Sequence, residues 1–129
     1  MTSRLLPWWL GLHALTFWAL GALFLLDPET WGTQVSLTPA HPAGVAELMT
    51  LYGGLECALA ALLTWGVLKP HFRITALQIL LVCYAGLTFG RTLGLLRHDL
   101  WDHGFTLQLF AIEAGTTLIS TFFYFRGQS

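Results

Sequence analysis

Five side chains able to carry a charge or a proton sit inside otherwise apolar stretches: His13, Glu47, Glu56, Arg91 and Glu113. Charge is costly in apolar surroundings, so such residues pair with each other, face a wet cavity, or take up a ligand. Arg91 is the expected hub, because a guanidinium stays charged and its planar fork matches a carboxylate. Three glutamates against one arginine leave an excess of negative charge. At least one of them is then neutralised by a proton, a cation or a ligand, and Glu56, the deepest, is the candidate for protonation. His13 adds a proton carrier at a similar depth.

Helical spacing groups the polar residues into stripes. Met49, Tyr52 and Glu56 align on one face, and Tyr84, Thr88 and Arg91 recur at i, i+4 and i+7 on another. Thr106, Glu113, Thr117, Ser120 and Tyr124 form a third stripe. Counting from the connections places Arg91 level with Glu47, Cys83 level with Glu56, and Glu113 within about one turn of Arg91, about 5.4 Å. Glu47 points nearly opposite to Glu56, since residues advance by about 100° each. It is expected at a helix edge near the head groups or at a subunit contact.

Two readings of these stripes stand side by side. One is an ion-pair and hydrogen-bond network that fixes helix register. The other is a binding cavity open to the outer face, built from Tyr52, Glu56, Tyr84, Thr88, Arg91, Glu113 and Thr117. Acid-base chemistry by Glu56 and Glu113, as in an intramembrane lipid isomerase, is a third. No nucleophile elbow, triad or metal motif supports it, so no residue is assigned a catalytic role and a binding protein is preferred to an enzyme. The loop residues His98, Asp99, Asp102 and His103 have metal-ligand chemistry but match no zinc spacing, and are read as a solvated loop. Cys57 and Cys83 form no CxxC pair and are read as packing residues, a redox pair being the alternative. There is no haem or iron-sulfur ligand set. No cofactor is predicted, quinone being the one that would suit the chain.

These residues need a frame. The chain is 55% hydrophobic and only 10% charged, against about 25% charged in ordinary soluble domains. A formal net charge of -1 excludes the clustered basic excess that nucleic-acid binding requires. Apolar segments run from about Leu5 to Leu26, Ala43 to Leu68, Phe72 to Leu96 and Phe105 to Phe125. Each is long enough for about 30 Å of hydrocarbon, and none shows the alternation of a barrel strand. Asp27-Pro28, Pro39, Pro42 and Lys69-Pro70 punctuate them. The first segment lacks a small-residue cleavage site and is read as a retained helix.

The expected fold is all-α, an antiparallel bundle of four transmembrane helices in a single domain over 1–129. Arg4, Lys69, Arg73 and Arg126 fall on one side, which places both termini in the cytoplasm and the long loop from Asp27 to His41 outside. Pro28 to Trp31 is read as a plain connector with an aromatic anchor, the alternatives being one interfacial helical turn or a lid. Gly86, Gly90 and Gly94 give GxxxGxxxG, and Gly53, Cys57 and Ala61 a matching small stripe. Small residues let helix backbones approach closely in lipid, so these two stripes are expected to pack on each other.

Tyr52-Gly-Gly-Leu-Glu56, Gly90-Arg-Thr-Leu-Gly-Leu-Leu96 and the lone Glu113 together resemble an uncharacterised bacterial family of four-helix membrane proteins. That family is a domain of unknown function, similar to the DoxX-like group. Asp99 departs from its pattern, being followed by Leu100 where a glycine is usual. The resemblance implies the bacterial inner membrane and no established activity. DoxX-like relatives include subunits linked to quinone-dependent sulfur oxidation, which makes an accessory subunit of a quinone-linked redox complex the alternative. The expected partners are the bilayer with a lipid, quinone or small anion as ligand, and a second copy or a membrane redox partner, but no nucleic acid.

Overall fold

The computed structural model describes residues 2–127, and among these it is 89% helix with no strand. Helix α1 spans Thr2–Leu26 and the short α2 spans Pro28–Gln34. Helix α3 (Pro42–Leu48) runs through a π-helical turn (Met49–Gly54) into α4 (Leu55–Leu68). A 3₁₀ turn (Pro70–Phe72) leads to α5 (Arg73–His98), and α6 (Gly104–Gly127) ends the described chain.

Local chemistry sets the breaks. Asp27 precedes a proline, which disfavours the helical conformation, and it leaves α1 at φ -147°. Its carboxylate then accepts from the Thr30 N–H at 3.2 Å and caps α2. The segment Pro28 to Trp31 is therefore part of a two-turn helix rather than a plain connector. Ser36 adopts φ 62°, and the Leu37 N–H closes α2 by donating to Gly32 O at 2.8 Å. His41 caps α3 through Nδ1, which accepts from the Ala43 N–H at 3.1 Å, and Pro42 follows at the first helical position. Asp99, at φ 49°, turns the chain out of α5, with the Leu100 N–H on Leu95 O. Aspartate is among the few residues that tolerate this left-handed conformation.

The core lies where α1, α4 and α5 meet. Leu10, Leu63, Leu77 and Leu80 are fully buried there, with Ala60 and Ala76 letting the backbones close up. A Cβ on Gly66 would collide with that of Ala76, so α4 and α5 are in closest contact beside the Lys69-Pro70 turn. Farther along they part.

Large apolar side chains cover the outside, among them Trp8, Val82, Phe89 and Leu118. A water-soluble monomer rarely presents so much apolar surface. Among the described residues, three helical spans are long and apolar enough to cross a membrane: Arg4–Leu26, Pro42–Leu68 and Pro70–His98. Helix α6 is of similar length, at 24 residues, and carries Gln108 and Glu113 among its apolar residues.

Candidate functional site

Arg91 on α5 and Glu113 on α6 form the two-point pair that their chemistry favours. Arg91 Nε donates to Glu113 Oε2 at 2.6 Å, and Nη2 donates to Oε1 at 2.7 Å. Below them, the hydroxyls of Thr88 and Thr117 meet at 3.3 Å. Each also lies 2.8 Å from a carbonyl of its own helix, Tyr84 O or Glu113 O, so at most one of the two hydroxyls gives its single proton across to the other. Farther down α6, Trp9 Nε1 donates to Ser120 Oγ at 3.1 Å, and Gln78 Nε2 donates to Tyr124 OH at 3.3 Å. The polar stripe of α6 is thus spent as a ladder that fastens it to α5 and α1, the usual role of polar side chains between helices in lipid.

His13 joins the same interior. Its Nδ1 lies 3.2 Å from Tyr84 OH, and the Trp9 ring meets it edge-on at 4.5 Å between centroids. Its Nε2 is buried with no hydrogen-bond partner among the described residues. His13 therefore meets Tyr84, not Glu56.

Glu56 sits apart from the ladder. It lines a cavity of about 760 Å³ between the α3–α4 rod and α5, a volume usual for small-molecule sites (about 300–1,000 Å³). Leu51, Tyr52, Leu55 and Leu59 share its wall, and Arg91 faces the cavity from α5. Phe17 contributes from α1, and Leu100 and Thr106 lie at the end of the cavity nearest the α5–α6 turn. Glu56 Oε2 is buried with no hydrogen-bond partner among the described residues. Tyr52 is held in place by its ring, stacked on Phe24 at 5.1 Å.

Of the residues singled out from sequence, Tyr52, Glu56 and Arg91 line the cavity. Glu113, Tyr84, Thr88, Thr117 and His13 form the polar backing behind it. Glu47 belongs to neither group. It is exposed on the last turn of α3 and makes no ion pair or side-chain hydrogen bond among the described residues. No group of three or more metal-ligating side chains occurs among the described residues. In the polar loop, His103 Nδ1 instead lies 2.8 Å from the Thr106 hydroxyl at the start of α6.

The glycine stripes need correcting. A Cβ placed on Gly86, Gly90 or Gly94 would meet nothing within 4 Å. These residues are not packed against the second small stripe; they form the open floor of the cavity. Gly53 and Cys57 pack on α1 instead. A Cβ on Gly21 would lie 2.6 Å from Cys57 Sγ and 3.0 Å from Gly53 O, and one on Gly53 would lie 2.7 Å from Leu25 Cδ2. Ala61, the third member of that stripe, is exposed. Both cysteines are free, Cys57 in this close contact and Cys83 beside the cavity.

Sequence periodicity also missed the π turn at Met49–Gly54, which ends immediately before the Leu55-Glu56 pair. A π turn holds more residues than an α turn, so it changes the angle between side chains on its two flanks. Such turns recur at functional sites. The Gly53-Gly54 pair, where a helix departs from regularity most readily, was the available signal.

The family model described as a domain of unknown function (DUF4345) matches residues 5–124. No curated protein and no solved structure matches the chain.

Proposed function

We propose, for a chain that belongs to the DUF4345 family, that it is a multi-pass membrane protein holding a small amphiphile in the cavity between α4 and α5. In this reading α6 is a fourth spanning helix, carried through the bilayer by the ladder that satisfies its polar side chains. The basic ends at Arg4, Lys69, Arg73 and Arg126 face the cytoplasm.

The observation that carries the reading is the open glycine floor. Gly86, Gly90 and Gly94 would accept a Cβ without contact, yet α4 does not close onto them. Helices with small faces ordinarily close up in lipid, and a groove left open between them calls for an apolar occupant, since unfilled space forfeits dispersion contacts. A ligand with an apolar body fills that space, while Glu56 supplies a polar end.

Native mass spectrometry of the protein extracted from its host membranes tests this. A retained adduct of lipid size is expected on the unmodified chain. It should be absent from Gly90→Leu, whose Cβ would meet nothing within 4 Å and whose side chain would extend into the cavity. Equal retention by both proteins contradicts the reading.

A further inference from the structure

Resting on that reading, we infer that the ligand is an alcohol or amine amphiphile, whose head donates a hydrogen bond to Glu56 and carries no negative charge. The charge arrangement around the cavity decides this. Arg91 is the cationic side chain lining it, and its Nε and Nη2 are both committed to Glu113, which engages both carboxylate oxygens in return. The pair is neutral as a unit and two-point in geometry. An anionic head could reach only the N–H groups of Nη1 and Nη2 not given to Glu113, on a cation whose charge is already compensated.

Glu56 is in the opposite condition. It faces the same cavity, has no ion-pair partner among the described residues, and keeps one oxygen buried without a hydrogen bond. A carboxyl group offers an acceptor oxygen whether or not it is protonated, so a hydroxyl or ammonium head suits it in either state. An anion would be repelled by the ionised form. The apolar remainder of the ligand runs along the α5 floor. Gly86 to Gly94 is eight residues of helix, about 12 Å, with Leu51, Leu55 and Leu87 as its apolar walls. Glu56 and Cys83 lie at the end of the cavity away from Leu100 and Thr106, which places the head group there and the tail toward the α5–α6 turn.

Dodecylamine, dodecanol and dodecanoate, which share one chain and differ in the head, form the test series. Each is titrated into the full chain in phosphatidylcholine nanodiscs, with binding read by native mass spectrometry. Parallel titrations use Glu56→Gln and Gly90→Leu, both checked for helicity and melting. The amine and the alcohol are expected to bind at least about tenfold more tightly than the carboxylate. Glu56→Gln should lose most of the amine preference, and Gly90→Leu should bind none of the three. Equal or tighter binding of dodecanoate, still abolished by Gly90→Leu, overturns the donor-head inference while the cavity reading stands. Binding that Gly90→Leu leaves intact, or no binding at all, overturns the cavity reading and this inference with it. Should Glu56→Gln fail to fold, the ranking of heads on the unmodified chain decides alone.

Discussion

Arg91→Ala is expected to cost the folded bundle about 3 kcal/mol. Removing one partner of a buried ion pair typically costs about 3–5 kcal/mol, because the other charge is left without compensation. The lower end applies here, since the Arg91 side chain keeps 26% of its exposure while Glu113 keeps 8%. The same asymmetry orders the variants. Arg91→Ala strands the more buried Glu113 and should cost more than Glu113→Gln, which strands an arginine that can turn toward the cavity. Combining Arg91→Ala with Glu113→Gln should cost less than the two single losses added together, as expected of directly coupled groups. Unfolding of the detergent-solubilised protein in a double-mutant cycle measures this. Strictly additive single effects would contradict a paired Arg91 and Glu113.

The second large effect concerns glycine and has opposite signs at different positions. Gly21→Ala brings a methyl group to 2.6 Å from Cys57 Sγ and 3.1 Å from Cys57 N. Part of that obstacle is backbone, so α1 and α4 must separate and loosen the core around Leu10 and Leu63. Overpacking of this kind costs about 1–3 kcal/mol. Gly90→Ala meets nothing within 4 Å, and alanine favours a helix over glycine by about 0.8–1.0 kcal/mol. It should leave the melting temperature unchanged or raise it, while Gly21→Ala lowers it. A lowered melting temperature for Gly90→Ala would mean that α5 packs through that face.

That contrast also marks where sequence reasoning stops. Spacing reveals a small stripe, but a glycine admitting a neighbouring helix reads the same as one bordering a void. Gly21, which does admit a helix, stands without the four-residue repeat and so carries no stripe signal. The Arg91–Glu113 pair was legible, because turn positions fix depth and the Arg91 and Glu113 stripes fix direction. The rungs made by Thr117, Ser120 and Tyr124 lie on the stripe read from α6. Their partners Trp9 and Gln78 were not foreseen, since interfacial tryptophans and lone glutamines carry no periodic signal. His13 and Glu56 share a depth, yet depth alone cannot separate helix faces, and His13 turns toward Tyr84. The π turn disturbs the 100° rule where Glu47 and Glu56 were compared. Glu47 is nonetheless outside the site, exposed on the last turn of α3.

Occupancy of the cavity is the central claim, and photo-cross-linking reads it residue by residue. An alkylamine carrying a diazirine in its chain is irradiated with the protein in phosphatidylcholine nanodiscs, and the adducts are mapped by peptide mass spectrometry. The expected adducts fall on the less exposed cavity walls, at Phe17, Leu59 and Cys83, and disappear in Gly90→Leu or with excess dodecanol. Val82 and Leu118, at 70% and 71% exposure on the outer surface, report plain contact with the bilayer. Labelling confined to Val82, Leu118 and similar outward residues, unchanged by Gly90→Leu, would contradict a ligand held between α4 and α5.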